Sequence, residues 1–167
     1  IEELLNYTIK RLHPEILNKE DKYLKFFEKI TENQINLIVN WQRVGFIHGV
    51  MNTDNMSLSG ETIDYGPCAF LDEYNPNKVF SSIDKNGRYA FNNQPKIALW
   101  NLARLAETFL HLIDSNENIA IKKVENILKK YESKYNDLWL EMMKNKIGIY
   151  EDHEKDKELI KELLDLM

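Results

Sequence analysis

Asn55 and Asp64 are the residues of this chain whose types and spacing best suit chemistry. An amide oxygen and a carboxylate are hard donors of the kind that hold magnesium or manganese, with phosphate oxygens and water completing the shell. Between them, Met56-Ser57-Leu58-Ser59-Gly60-Glu61-Thr62-Ile63 reads as two short runs around a Ser-Gly turn signal. A two-residue loop at Ser59-Gly60 would set Leu58 opposite Glu61, Ser57 opposite Thr62, Met56 opposite Ile63 and Asn55 opposite Asp64. Directly opposed side chains lie roughly 5 Å apart, close enough for both oxygens to share one divalent cation. Met56 and Ile63 would then anchor the hairpin in the core.

Each element alone has an ordinary structural explanation, because Asn and Asp favour Asx-turns and helix caps. Their order and spacing argue for more. In the stretch His48-Gly49-Val50-Met51-Asn52-Thr53-Asp54-Asn55, Asn55 stands at the eighth position of the kinase catalytic-loop pattern H-R-D-x-x-x-x-N, and Asp64-Tyr65-Gly66 falls where D-F-G would. The third position, where a kinase carries its base, is Val50, which cannot accept a proton. A carboxylate sits instead at Asp54. The metal ligands of a kinase are retained while its phosphoryl-transfer arrangement is not. His48 is expected to brace the loop by hydrogen bonding rather than to react.

Helical patterns must position this loop. Residues 2 to 12 and 21 to 29 have the spacing of short amphipathic helices, and Thr31 with Gln34 forms a capping-box signature for a further helix reaching about Arg43 and delivering the loop. Residues 67 to 93 lack sustained periodicity and carry Pro, Asn, Asp and Gly, the character of an activation-segment-like excursion on which peptides could dock. Pro95 suits the first turn of a helix to about Leu112, whose Ile97, Leu99, Trp100, Leu102, Leu105 and Phe109 cover much of its circumference and place it in the core. A longer helix is expected from about Asn118 to Lys146, with an apolar stripe through Ile121, Val124, Leu128, Tyr131, Tyr135 and Leu138. The last segment, from Glu151 to Met167, ends in Leu159, Ile160, Leu163 and Leu164 at helical spacing and is expected to pack against sequence beyond the chain.

At 167 residues, 43% hydrophobic and 29% charged, the chain is long enough for one compact core, and a single domain is expected. A net charge of −5 without a basic block argues against nucleic acid as a partner. No apolar run approaches the roughly 20 residues needed to span a bilayer, so no membrane partner is expected and the protein reads as soluble and cytoplasmic, a removed targeting sequence aside. Cys68, the single cysteine, excludes an internal disulfide and a cysteine-rich zinc site, and should pack as a small apolar residue. His13, His111 and His153 show no metal-ligand spacing and are expected at the surface or at helix ends.

Trp41-Gln42-Arg43-Val44-Gly45-Phe46-Ile47-His48 through Ser57, together with Thr62-Ile63-Asp64-Tyr65-Gly66-Pro67, closely resembles the selenoprotein O family of pseudokinase-like proteins. The likeness continues through Phe70-Leu71-Asp72, Gly87-Arg88-Tyr89, Asn93-Gln94-Pro95 and Ala98-Leu99-Trp100-Asn101-Leu102, about the middle half of the chain. The resemblance implies a mainly α, kinase-like C-lobe with a small β-hairpin beside the catalytic loop. It also implies a protein adenylyltransferase, which binds ATP in a reversed orientation and transfers AMP to Ser, Thr or Tyr hydroxyls of other proteins. Carried onto this sequence, it makes Asp54 the proton acceptor, Asn55 and Asp64 the ligands of Mg2+ (or Mn2+), and Asp64 a nucleotide contact through the metal. With the nucleotide reversed, the α-phosphorus faces the acceptor, and a base displaced along the loop from Val50 to Asp54 makes chemical sense.

Such an enzyme also needs a phosphate-covering loop and a basic residue on an opposite lobe. The six glycines, at 45, 49, 60, 66, 87 and 148, form no G-x-G-x-x-G run, and no strand-borne Lys precedes the catalytic loop. The expectation is an excised segment without its nucleotide-binding lobe, binding ATP weakly and transferring little AMP by itself. Two rival readings stand beside it: a true kinase in which Asp54 serves phosphoryl transfer, and a non-catalytic pseudokinase shell that binds partners.

Overall fold

Ten residues of one long helix fill the centre of the protein. In the computed structural model, which describes residues 1–167, helix α2 (Lys22–Val44) buries Tyr23, Phe26, Phe27, Ile30, Thr31, Gln34, Ile35, Ile38, Val39 and Trp41. Their recurrence three and four positions apart gives a stripe that faces neighbours on several sides. The remaining helices are α1 (Glu2–Leu12), α3 (Gln94–Glu107), α4 (Leu110–Ile113), α5 (Glu117–Leu128), α6 (Tyr131–Ile147) and α7 (Asp156–Asp165). Helices α3, α4, α5 and α6 all pack on α2, and α7 packs on α6. The mainly helical class expected from the sequence is found.

The sheet is minimal. Strand β1 (Phe46–Ile47) pairs antiparallel with β2 (Ala69–Phe70), Phe46 opposite Phe70 and Ile47 opposite Ala69. This pairing closes the loop between them at its base. The hairpin expected within that loop is reduced to one antiparallel bridge, Met56 to Thr62.

Three helix boundaries differ from expectation, each for a local reason. The helices expected at 21 to 29 and from Thr31 are one continuous α2. Thr31 is no cap: its hydroxyl donates back to the Phe27 carbonyl at 2.9 Å, a bond compatible with an unbroken helix, and Gln34 reaches away to Ser57. The helix begun at Pro95 stops at Glu107, where the Thr108 hydroxyl takes the Leu105 carbonyl at 2.8 Å. Phe109 then leaves helical geometry and buries its ring edge-on against Phe27, with centroids 6.1 Å apart. The helix expected over 118 to 146 is two, broken at Lys129-Lys130, where the Lys130 N–H bonds the Ile127 carbonyl three residues back and the chain re-aims to bury Tyr131. Trp100, counted among the core-facing residues of its helix, is 44% exposed.

Helix α7 is tethered at its start. The buried Lys144 ammonium meets Asp156 at 2.8 Å and also pairs with Asp152 and the Glu151 carbonyl, while Ile160 is fully buried. The segment expected to find its partner beyond the chain packs in part on α6, although Leu159, Leu163 and Leu166 stay exposed. No helix is long and apolar enough to cross a membrane.

Candidate functional site

The loop from His48 to Gly66 is held by side chains that reach its backbone and two of its side chains from outside. Gln94, fully buried at the start of α3, accepts the His48 N–H at 3.0 Å and donates to the carbonyls of Phe46 at 3.0 Å and Phe91 at 3.3 Å. Asn101, two turns further along the same face of α3, donates to the Met51 carbonyl at 3.0 Å. From α2, Gln34 donates to the Ser57 carbonyl at 2.7 Å and the Trp41 indole N–H to the Thr62 hydroxyl at 2.9 Å. Tyr89 donates its hydroxyl to the Asn52 side-chain oxygen at 2.7 Å. Buried amides are costly unless paired, and here they are used to fix irregular backbone that no ladder could hold.

His48 has no exposure to solvent and stacks against Trp41, with ring centroids 5.4 Å apart. Its Nδ1 accepts the Val50 N–H at 3.4 Å and its Nε2 lies 2.8 Å from the Ile63 carbonyl. Since a backbone N–H can only donate and a carbonyl can only accept, the ring is neutral with its proton on Nε2. His48 braces the loop, as expected, and reaches no surface where it could act on a substrate.

Gly49 lets two strands of chain approach. Its φ is +91°, and a Cβ there would stand 2.4 Å from the Pro67 carbonyl oxygen. Only glycine fits without moving the Asp64-Tyr65-Gly66-Pro67 segment away from the His48–Asn55 stretch.

Asn55 closes a 3-10 turn, Thr53–Asn55, and its side-chain NH2 donates to the Val50 carbonyl at 3.0 Å. That bond settles the amide's orientation: the nitrogen is engaged, and the half-buried side chain keeps its oxygen as the free donor atom. Asp54 lies in the same turn and is exposed. Asp64 is exposed as well and is the one non-glycine residue with positive φ, 56°. Asp tolerates this left-handed conformation better than most residues, but it costs free energy and tends to persist where the surroundings impose it.

The expected register is corrected. Met56 pairs with Thr62, not with Ile63, because the turn forms one residue earlier: the Gly60 N–H bonds the Ser57 carbonyl at 3.1 Å, which makes Leu58 and Ser59 the central residues, and Gly60 at φ +77° serves as the bulge residue. Thr53–Asn55 turns into a 3-10 helix instead of continuing as a strand. Asn55 and Asp64 are therefore not cross-strand partners. What ties the two segments together is the His48 bond to the Ile63 carbonyl, next to Asp64, and the close passage of Gly49 against Pro67.

No group of three or more His, Cys, Asp and Glu side chains gathers in the protein. A cation at Asn55 and Asp64 would take two protein oxygens and complete its shell from phosphate and water, a donor set suited to Mg2+ or Mn2+ and not to zinc. Cys68 lies half-buried against the core and donates its thiol to the Tyr65 carbonyl at 2.9 Å. Of the other histidines, His13 caps α1 and pairs with Glu15, His111 lies in the short α4, and His153 precedes α7 with its side chain 69% exposed.

Gln34, named above for a helix cap, and Tyr89, Gln94 and Asn101, named only for the family likeness, are supports whose bracing role sequence reasoning did not give. The only local signal was an amide at an apolar-face position of a helix, as with Gln94 before Ile97-Ala98 and Asn101 before Leu102.

A family model described as "Protein adenylyltransferase SelO" matches residues 1–167. The chain is 54% identical over its whole length to a protein of Pelagibacter ubique named protein nucleotidyltransferase YdiU, covering 35% of that protein. It is 51% identical to the protein of the same name from Alcanivorax borkumensis, again over the whole chain and 34% of the relative. With the namesake from Lachnoclostridium phytofermentans the identity is 52% over 98% of the chain, again 34% of the relative. The chain spans about a third of the length of these relatives.

Proposed function

Because the chain belongs to the SelO family of protein adenylyltransferases, we propose that it forms the catalytic-loop half of an AMP-transfer site on a kinase-like C-lobe. Asp54 takes the proton of a protein Ser, Thr or Tyr hydroxyl. The hydroxyl oxygen attacks the α-phosphorus of ATP, the bond to the β-phosphate oxygen breaks, pyrophosphate leaves, and AMP remains on the protein as a phosphodiester. Asn55 and Asp64 would hold Mg2+, which would supply neutralisation of charge on the phosphates.

One observation supports this reading most. The Asn55 amide is locked nitrogen-inward on the Val50 carbonyl, so its oxygen is presented from a loop that His48 ties to the Asp64 segment. Val50, at the position of a kinase base, spends its backbone on that scaffold and has no side chain that could accept a proton. Asp54, exposed beside Asn55 in the 3-10 turn, is the carboxylate to which the family resemblance gives the task.

The test uses the full-length form, meaning this chain within a protein of the length its relatives have. Mass spectrometry of a protein acceptor after incubation with ATP and Mg2+ distinguishes added AMP from added phosphate. Asp54→Ala and Asp64→Ala should abolish the AMP adduct without changing the fold. A phosphate adduct would favour a kinase, and no adduct in parent or variants would favour a binding module.

A further inference from the structure

We propose that the cavity under the catalytic loop is a docking site for a peptide segment of the acceptor protein, one that presents an apolar side chain flanked by acidic residues. The inference rests on the AMP-transfer reading for its word acceptor, and it adds what that acceptor must look like.

The cavity measures about 420 Å³ and lies between α2, the Met56–Thr62 turn and α3. That volume is in the range of sites that enclose small ligands or side chains. Ile30, Met56, Leu58, Leu102 and Leu105 give it apolar walls. Thr53 also lines it, one residue before Asp54 in the same 3-10 turn, so an occupant sits beside the proposed base.

Two polar side chains of the wall are fixed in place. Gln34 and Asn101 are 4% and 7% exposed, and each has committed its NH2 to a loop carbonyl, Gln34 to Ser57 and Asn101 to Met51, so the wall of the cavity is tied to the loop that carries Asp54.

The rim supplies charge. Trp100 is 44% exposed, with the Arg88 guanidinium 4.9 Å and the Arg104 guanidinium 5.6 Å from its ring centre. Arg104 shares its charge with Glu107 at 2.6 Å, whereas Arg88 stacks on Tyr89 and Trp100 and forms no ion pair. On a chain of net charge −5, two guanidiniums around one exposed indole make a local positive patch complementary to carboxylates. The patch is fixed to the loop, because Tyr89, next to Arg88, holds the Asn52 side chain. An acidic residue on Arg88 and Arg104 and an apolar one in the cavity would therefore bring a neighbouring hydroxyl towards Asp54.

The test has two arms on the full-length form. In the first, calorimetry measures binding of a short Glu-Leu-Glu-containing peptide without Ser, Thr or Tyr. The Lys-for-Glu peptide, and the Arg88→Ala/Arg104→Ala double variant of the protein, should each weaken binding by roughly fivefold or more. Both arginines are exposed, so the variant keeps its fold. In the second, the same peptides carrying one Tyr are offered with ATP, and the double variant should raise the peptide KM rather than lower kcat. Equal binding of the Glu and Lys peptides, or a double variant that binds like the parent, overturns the docking site. Charge-dependent binding with no AMP transfer leaves the docking site standing and overturns the transferase reading alone.

Discussion

His48 Nε2 donates to the Ile63 carbonyl at 2.8 Å while its Nδ1 accepts the Val50 N–H at 3.4 Å, so one buried ring bridges the stretch that carries Asn55 and the segment that carries Asp64. A histidine in a motif of this kind invites a chemical role. Here its full burial and its two backbone bonds define a positional one.

His48→Ala should destabilise the protein by about 2–4 kcal/mol, since it empties a packed site against Trp41 and leaves a buried carbonyl and N–H unpaired. Denaturant unfolding measures this. Under conditions where the variant is still folded, metal-dependent ATP binding by the full-length form should weaken with it.

Gly49→Ala should be as harmful as many core truncations although it adds a single methyl. With φ at +91° and the Pro67 oxygen 2.4 Å from the new Cβ, the cost is about 1–3 kcal/mol of backbone strain plus the displacement of the Asp64 segment. A thermal midpoint equal to that of the parent would contradict the close passage described for these two strands of chain.

Asp54→Ala should leave folding unchanged, because the side chain is exposed, and should lower AMP transfer by the full-length form at least about a hundredfold. Asp64→Ala should act earlier, removing Mg2+-dependent ATP binding measured by calorimetry. A variant pair with the same phenotype at both steps would argue against separate roles for the two carboxylates.

The tether of α7 should respond to pH at both extremes. Its hydrogen bond to Lys144 holds the Asp156 carboxyl below the ordinary value of 3.8, so this contribution is present above that pH and is lost as pH falls through the lower folded value. Hydrogen bonds to Asp152 and then Asp156 raise Lys144 above 10.5, so its contribution is present below pH 10.5 and is lost as pH rises beyond it. The protection of the Asp156–Asp165 amides, expressed as exchange relative to the intrinsic rate at each pH, should therefore stay flat through neutral pH and fall in strong acid and strong base. Lys144→Met should lower it at neutral pH.

Much of the framework was legible in the sequence, because it rests on local signals. Helix α1 over residues 2 to 12, the start of α3 around Pro95 and the end of α6 before Gly148 follow from periodicity and from residues that begin or stop helices. The breaks at Thr108-Phe109 and Lys129-Lys130 were not legible, because neither carries Pro or Gly and both serve burial of a distant-facing ring, Phe109 or Tyr131. At the site, the order His48, Asn55, Asp64 could be read, and so could the bracing role of His48. The register could not, since Ser59-Gly60 signals a turn without fixing whether Gly60 is a central residue or, as found, the bulge residue of a turn centred on Leu58-Ser59. Nor could the amide supports, for Gln94 acts on His48 across 46 positions and Asn101 on Met51 across 50.

The central claim is that the loop from His48 to Asp64 serves AMP transfer to protein hydroxyls with a divalent cation. The most direct measurement is the intact mass of an acceptor protein after incubation with the full-length form, ATP and Mg2+, with Asp54→Ala alongside. The account predicts an AMP-sized increase that disappears in the variant and when the metal is chelated. A phosphate-sized increase, or an AMP-sized one that persists in folded Asp54→Ala, would contradict it.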